Sequence, residues 1–259
     1  MLRRVLLLLI AIALACLVLV SVHNSNASTL VVCNGNVTNT LQAALNRGGS
    51  VSLSAGTCSV TQVKMKTANT TLSGAGATTT TLSELYIMGI KGGYDILANL
   101  TLKVGSGPEA AIWSSVSHTT IEHVAVIANG GSKQYGVRLI GPNPCASYPT
   151  HDTVVNDVTI TSQGTGGFAS LDLSCTNGID VTGLRIQHGG IVAVYRDEHV
   201  VIDTMSFQGD SRPCQHAIEI TGSANDISIS NLTSVNGGIL IEPNTGVSNV
   251  SENNVQSAC

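Results

Sequence analysis

Three charged residues each occupy the middle of an apolar triplet: Arg138 in Val137-Arg138-Leu139, Asp172 in Leu171-Asp172-Leu173 and Glu219 in Ile218-Glu219-Ile220. Successive side chains of an extended strand face opposite ways, so each charge points away from the face that its two neighbours bury. If the triplets stack as successive rungs, adjacent residues lie about 5 Å apart and next-but-one residues about 10 Å apart. Arg138 then abuts Asp172. Asp172 and Glu219 stand near the upper limit for a carboxylate acid and base that admit a water between them, which is the chemistry of glycosidic-bond hydrolysis with inversion. Tyr195, Arg196 and Glu242 border the same face. Trp113 could stack on a sugar ring if it points outward, but the run Ala110-Ala111-Ile112-Trp113 also allows the opposite register, with Trp113 in the core. The competing reading of the whole face is a solvated surface with no ligand. The lone histidines His188 and His216 fit turns or caps better than catalysis.

These residues need a frame that repeats, and the chain supplies one. An apolar-x-apolar unit returns as Leu171/Leu173, Val192/Val194, Ile218/Ile220 and Ile239/Ile241. About ten residues after each comes an apolar-x-x-apolar-x-apolar unit, beginning at Val181, Ile202, Ile229 and, in decayed form, Val250. Periods in the twenties with β-type alternation indicate a stacked-strand solenoid. The residue that precedes each third strand is Asn99, His123, Asp157, Gly183, Thr204, Asn231 and Glu252 in turn. Most of these types tolerate the left-handed backbone of a sharp bend. The interval from Ile121 to Val155 exceeds the period, and the excess falls at Gly141 to Asp152, an inserted loop of the kind that collects binding function.

Residues 1–27 read as a secretory signal: Arg3 and Arg4, an apolar run from Val5 to Val22, and the small residues Ser25-Asn26-Ala27. An uncleaved anchor is the alternative that such a run could just support. Residues 28–259 then form one elongated domain with 10 basic and 16 acidic residues, a formal charge of −6, which argues against a nucleic-acid partner. No stable membrane insertion is expected after cleavage, and a monomer is. Six cysteines remain, an even number suited to an oxidising compartment. The register pairs Cys145 with Cys175, Cys33 and Cys58 fall together at the amino end, and Cys214 is left with Cys259; a zinc site has no Cys-x-x-Cys to support it. Sequons at Asn26, Asn36, Asn69, Asn99, Asn231 and Asn249 make a secreted glycoprotein the expectation, although Asn99 and Asn231 are equally explained as bend residues.

Leu41, Ala44 and Leu45 share one face of a short helix expected to cap the amino end of the stack. Beyond it run Gly48-Gly49, Val51-Ser52-Leu53, Gly56-Thr57 and Leu72-Ser73-Gly74-Ala75-Gly76 with Thr81-Leu82. This stretch, roughly residues 40–83, resembles the amino ends of the pectate-lyase-like right-handed parallel β-helix superfamily. The resemblance implies an all-β solenoid whose groove runs along the first strand of each coil. It also implies an extracellular polysaccharide as partner, by a lyase, hydrolase or epimerase reaction, with Arg138, Asp172 and Glu219 as catalytic candidates and Tyr195, Arg196, Glu242 and Trp113 as sugar contacts. No cofactor is expected, except that a lyase would pair an arginine base with calcium held by acids. The chain departs from the specific signatures. It has no adjacent aspartates, Leu184-Arg185-Ile186-Gln187-His188-Gly189 only echoes a polygalacturonase motif, and Tyr135-Gly136-Val137-Arg138 lacks the acid of an epimerase run. A non-catalytic surface or matrix protein therefore stands as the alternative.

Overall fold

Strands of four or so residues cannot bury a face alone, and this chain stacks them in register. The computed structural model describes residues 28–85, 87–104, 110–128, 135–141, 145, 150–162, 169–209, 216–235, 237–242 and 245–258. They form a parallel β-helix built from an eight-stranded sheet and a larger sheet of 15 strands that turns the corner of each coil. The right-handed sense is the one that crossovers between parallel strands take in nearly all cases. In the eight-stranded sheet, called the groove sheet below, the strands are Gln62–Met65, Ile87–Ile90, Ala110–Ser114, Tyr135–Ile140, Leu171–Ser174, Val192–Tyr195, Ile218–Thr221 and Ile239–Ile241. Each pairs only with its neighbours one coil away.

The inward columns are aliphatic. Val181, Ile202 and Ile229 pair in register across the larger sheet, and all three are fully buried. Between its two halves the chain bends at residues with positive φ: Asn99, His123, Asp157, Gly183, Thr204 and Asn231, all between 49° and 68°. The expected column of bend residues is thus present, with one correction at its end. Asn254, not Glu252, has the positive φ, because Leu232 pairs with Val255 and Ile229 with Glu252. The last coil is two residues longer than the repeat implied, and Val250 pairs with Ile227.

A helix spans Thr38–Arg47 and buries Leu41, Ala44 and Leu45. Its Gln42 side chain accepts from the N–H of Lys64 at 2.8 Å and donates to the Lys64 carbonyl at 2.9 Å. The side-chain amide thereby satisfies both backbone groups of a residue in the first strand of the groove sheet, groups that no further strand pairs. Disulfides join Cys33 to Cys58 and Cys145 to Cys175, with Cα atoms 4.5 and 5.2 Å apart, the second as the coil register implied. Residues 1–27, Cys214 and Cys259 lie outside the described residues, so the signal segment and the third pairing do too. Among the described residues no helix is long and apolar enough to cross a membrane.

Candidate functional site

One outward column crosses the whole groove sheet: Lys64, Gly89, Trp113, Arg138, Asp172, Ala193, Glu219 and Leu240, each paired in register with the next. Parallel pairing repeats the same face at every rung, so whatever the sequence puts at this position becomes a line of neighbours. The line is basic and aromatic at its amino end and acidic toward its carboxyl end. Trp113 belongs to it, because Ile112 pairs with Met88 and Val137 in the buried column. The Lys91 ammonium sits 5.1 Å from the Trp113 ring centroid, within cation–π range. Trp113 Nε1 is buried and has no hydrogen-bond partner among the described residues. The apolar-x-apolar triplet Leu85-Tyr86-Ile87 suggests Tyr86 for the second rung, but the strand there is Ile87–Ile90, so Gly89 fills the column position, and Tyr86 lies outside the described residues.

Arg138 and Asp172 touch. Arg138 Nε donates to Asp172 Oδ2 at 2.8 Å, and the Arg138 guanidinium carbon lies 4.6 Å from the Tyr135 ring centroid. The Ser174 hydroxyl donates to the other carboxylate oxygen, Asp172 Oδ1, at 2.9 Å. Asp172 is therefore only 6% exposed, held between a cation and a hydroxyl. It was expected to face outward against Arg138, and with both oxygens engaged its removal cannot leave the fold untouched. Glu219 follows two rungs away, about 10 Å along the sheet, with Ala193 between.

Beside this pair an open depression of about 290 Å³ is lined by Arg138, Ile140, Gly141, Ser174, Cys175 and Tyr195. Tyr195 occupies the next outward column, paired with Ser174 and Thr221, and remains 37% exposed. The guanidinium carbon of Arg196 lies 5.0 Å from the Tyr195 ring centroid. Glu242 stands farther off and accepts a hydrogen bond from the Thr221 hydroxyl. Arg138, Asp172 and Tyr195 are thus brought together, Trp113 adjoins Arg138, and Glu219 and Glu242 lie toward the carboxyl end of the same sheet. Arg185 is on the larger sheet, where its Nη1 bonds Asp157 at 2.5 Å and takes no part in the groove.

Two supports were not legible as such. Ser174, two residues after Asp172, follows from the same alternation but has a side chain too common to single out. Asp197 lies within the charged run Arg196-Asp197-Glu198-His199, yet it is fully buried. It accepts from Thr176 N–H at 2.7 Å, the Thr176 hydroxyl at 2.8 Å and Tyr195 N–H at 2.8 Å. Burial is the larger influence on its acidity and pushes its pKa up to about 7, against the pull of these three donors and with a further push from the Asp172 charge. Asp95 plays the same part several coils earlier, accepting from Thr70 N–H, and burial raises its pKa as well.

These residues do not assemble a calcium site. Both Asp172 oxygens are engaged, by Arg138 and Ser174, and Glu219 is two rungs away, whereas calcium takes roughly six to eight oxygen ligands.

No protein-family model and no curated protein sequence matches the chain. Among solved structures it is similar to Geobacillus virus E2 ORF18, at 11% identity and a TM-score of 0.44, over 84% of this chain and 57% of that one. It thus spans little more than half of that protein. It is also similar to the A-modules of two Azotobacter vinelandii mannuronan C-5 epimerases. For AlgE6 the identity is 14% and the TM-score 0.32, over 84% of this chain and 90% of that one. For AlgE4 the values are 13% and 0.31, over 86% and 96%. At these identities and scores the likenesses carry no argument about the site, which rests on the geometry above.

Proposed function

We propose that this chain is a secreted β-helix protein that holds an extracellular polysaccharide along its groove sheet, centred on Arg138, Asp172 and Tyr195. The observation that carries this reading is the in-register column Trp113, Arg138, Asp172, Ala193, Glu219 beside an open depression. A stacked scaffold has no need of both charge signs there, since Thr, Ser or Asn would serve an outward strand position with less side-chain entropy to lose. Lys64, Lys91 and Arg138 favour a sugar that bears carboxylates, and Trp113 and Tyr195 offer apolar faces for its rings. Arg138 is held by Asp172 and suits the anchoring of a sugar carboxylate better than the role of base. Asp172 and Glu219 are the pair through which a hydrolytic step would pass.

The rest of the reading is of a piece with this. Residues 1–27 direct export and are removed, residues 28–259 act as a monomeric domain, and the helix at Thr38–Arg47 closes the amino end of the stack. Glycans on the exposed Asn36 or Asn69 are compatible with the surface, whereas the Asn99, Asn231 and Asn249 amides already donate to Ser73, Asp203 and Asn225. A non-catalytic matrix or surface protein is the second reading, favoured by the burial of Asp172, which suits a structural ion pair. The test is a panel of uronic-acid and neutral polysaccharides, with and without calcium, scored for retention, for new chain ends and for the ratio of uronic-acid epimers. Retention of uronic-acid chains is expected. Retention of none, or of neutral chains alone, defeats the proposal; retention with neither new chain ends nor a changed ratio of uronic-acid epimers means that the groove holds the chain without catalysis.

A further inference from the structure

On a corner of the coil, away from the groove column, two histidines and an aspartate from adjacent coils converge. His118 lies two residues before the strand Thr120–Ala128; His151 and Asp152 lie near the start of the strand Thr150–Asn156 one coil on. The His118 N–H donates to the His151 carbonyl at 2.9 Å, and the His151 N–H donates to the Ser117 hydroxyl at 3.2 Å. Backbone and side chain thus fix how the two coils meet. The three side chains each offer a ligand atom, and these atoms all lie within 4.8 Å of one another. Asp152 Oδ2 stands 2.8 Å from His151 Nδ1 and 3.7 Å from His118 Nδ1.

We propose that His118, His151 and Asp152 bind one divalent transition-metal ion of the zinc class. A tetrahedral first-row ion sits about 2.0–2.2 Å from imidazole nitrogen and carboxylate oxygen, so its ligand atoms lie about 3.3–3.6 Å apart. The separations of 2.8 and 3.7 Å bracket that range, and rotation of the partly exposed side chains brings the widest, within 4.8 Å, into it. Two neutral imidazoles and one carboxylate select zinc, cobalt, nickel or copper over calcium and magnesium, which take oxygen ligands. The side chains remain partly exposed, so water can fill the remaining positions.

The surroundings hold the set in place. Tyr94 stacks on His118 with ring centroids 4.1 Å apart and planes 15° from parallel, which fixes the imidazole plane. Glycine 178, one coil beyond, leaves space beside the carboxylate: a Cβ there would come within 3.0 Å of Asp152 Oδ1. A metal-free cluster would account for the Tyr94–His118 stack, the edge-on His118–His151 contact and the hydrogen bond between His151 Nδ1 and Asp152, but it gives no reason for the same carboxylate oxygen to stand 3.7 Å from His118 Nδ1 as well. An ion there would tie the coil of His118 to the residues that close the long segment after Gly141. The disulfide Cys145–Cys175 anchors that segment nearer the depression. This inference is independent of the polysaccharide reading.

The test uses purified tag-free protein stripped with chelator and titrated with zinc by calorimetry, with cobalt absorption as a second readout. One saturable ion per chain and a raised melting temperature are expected. His118→Asn, His151→Ala and Asp152→Asn should each weaken zinc binding by at least about tenfold. His118 and Asp152 have φ of 56° and 51°, a conformation that asparagine tolerates, so two of these variants keep the backbone. His188→Ala, at an exposed histidine elsewhere, should bind as the parent does. Absence of saturable zinc binding, equal loss in His188→Ala, parental affinity in the three ligand variants, or preference for calcium would each overturn the proposal.

Discussion

Replacing Asp197 by asparagine should flatten a pH dependence that the fold imposes on its own stability. The carboxyl is fully buried and its pKa is pushed up to about 7, above its value in the unfolded chain. A raised acid binds its proton more tightly in the folded state, so folded protein carries more protons than unfolded protein between the two pKa values. Stability therefore falls as pH rises through that window. Integrated from about pH 5 to about pH 8, the loss is roughly 2–3 kcal/mol, or about 5–10 °C in melting temperature for a domain of this size. Asp95, also raised by burial, adds loss of the same sign. Asp157 and Asp203 are lowered instead, by bonds from His123 and Arg185 and from Ser230, Asn231 and Thr204 respectively. Their contributions are lost only as pH falls below the ordinary carboxylate range, outside this window. The amide variant keeps an acceptor for Thr176 but turns an NH2 toward the Tyr195 N–H, at a cost of about 1–3 kcal/mol. Denaturant titrations across the pH range should show the parent more stable at the acid end and the Asp197→Asn curve flatter, the two converging near the alkaline end. A parent whose stability is flat or rises over this window would refute the reasoning, because the three donors would then outweigh burial and keep the carboxylate charged.

Three further outcomes follow from the same structure. Ile202→Asp places an unpaired charge in the fully buried column with Val181 and Ile229 and should destabilise by about 3–5 kcal/mol in chemical unfolding; a parental midpoint would remove Ile202 from the core. Cys175→Ser opens the disulfide that closes a separation of 30 residues and should cost roughly 3–4 kcal/mol, and peptide mapping of unreduced parent should recover the Cys145–Cys175 link. Asp172→Asn leaves Arg138 without its carboxylate partner and should lower stability by roughly 1–3 kcal/mol; an unchanged melting curve would show the ion pair to be energetically idle.

What could be read from the sequence follows the physics of each position. Arg138, Asp172 and Glu219 stood out because each interrupts an aliphatic triplet, and parallel stacking turns that local alternation into one line. The bend residues were legible as far as Asn231, since asparagine, glycine and aspartate accept a left-handed backbone. The last coil was not, because Val250 and Val255 are too sparse among serines and asparagines to fix the pairing. The side on which Trp113 falls was undecided for the opposite reason: four apolar residues in succession carry no alternation. Gly89 was missed because a column position without a side chain leaves no trace in a polarity pattern. Asp197 was missed because a buried acid inside a charged run contradicts the pattern that surrounds it.

The measurement that bears most directly on the groove is retention of the best-binding uronic-acid polysaccharide by parent and by the combined variant Arg138→Ala, Asp172→Asn, Glu219→Gln, each first shown to be folded by its melting curve. Loss of at least about tenfold in affinity is expected, with any turnover falling about a hundredfold or more. A folded combined variant that binds and turns over the polysaccharide as the parent does would contradict the account and move the function off this face.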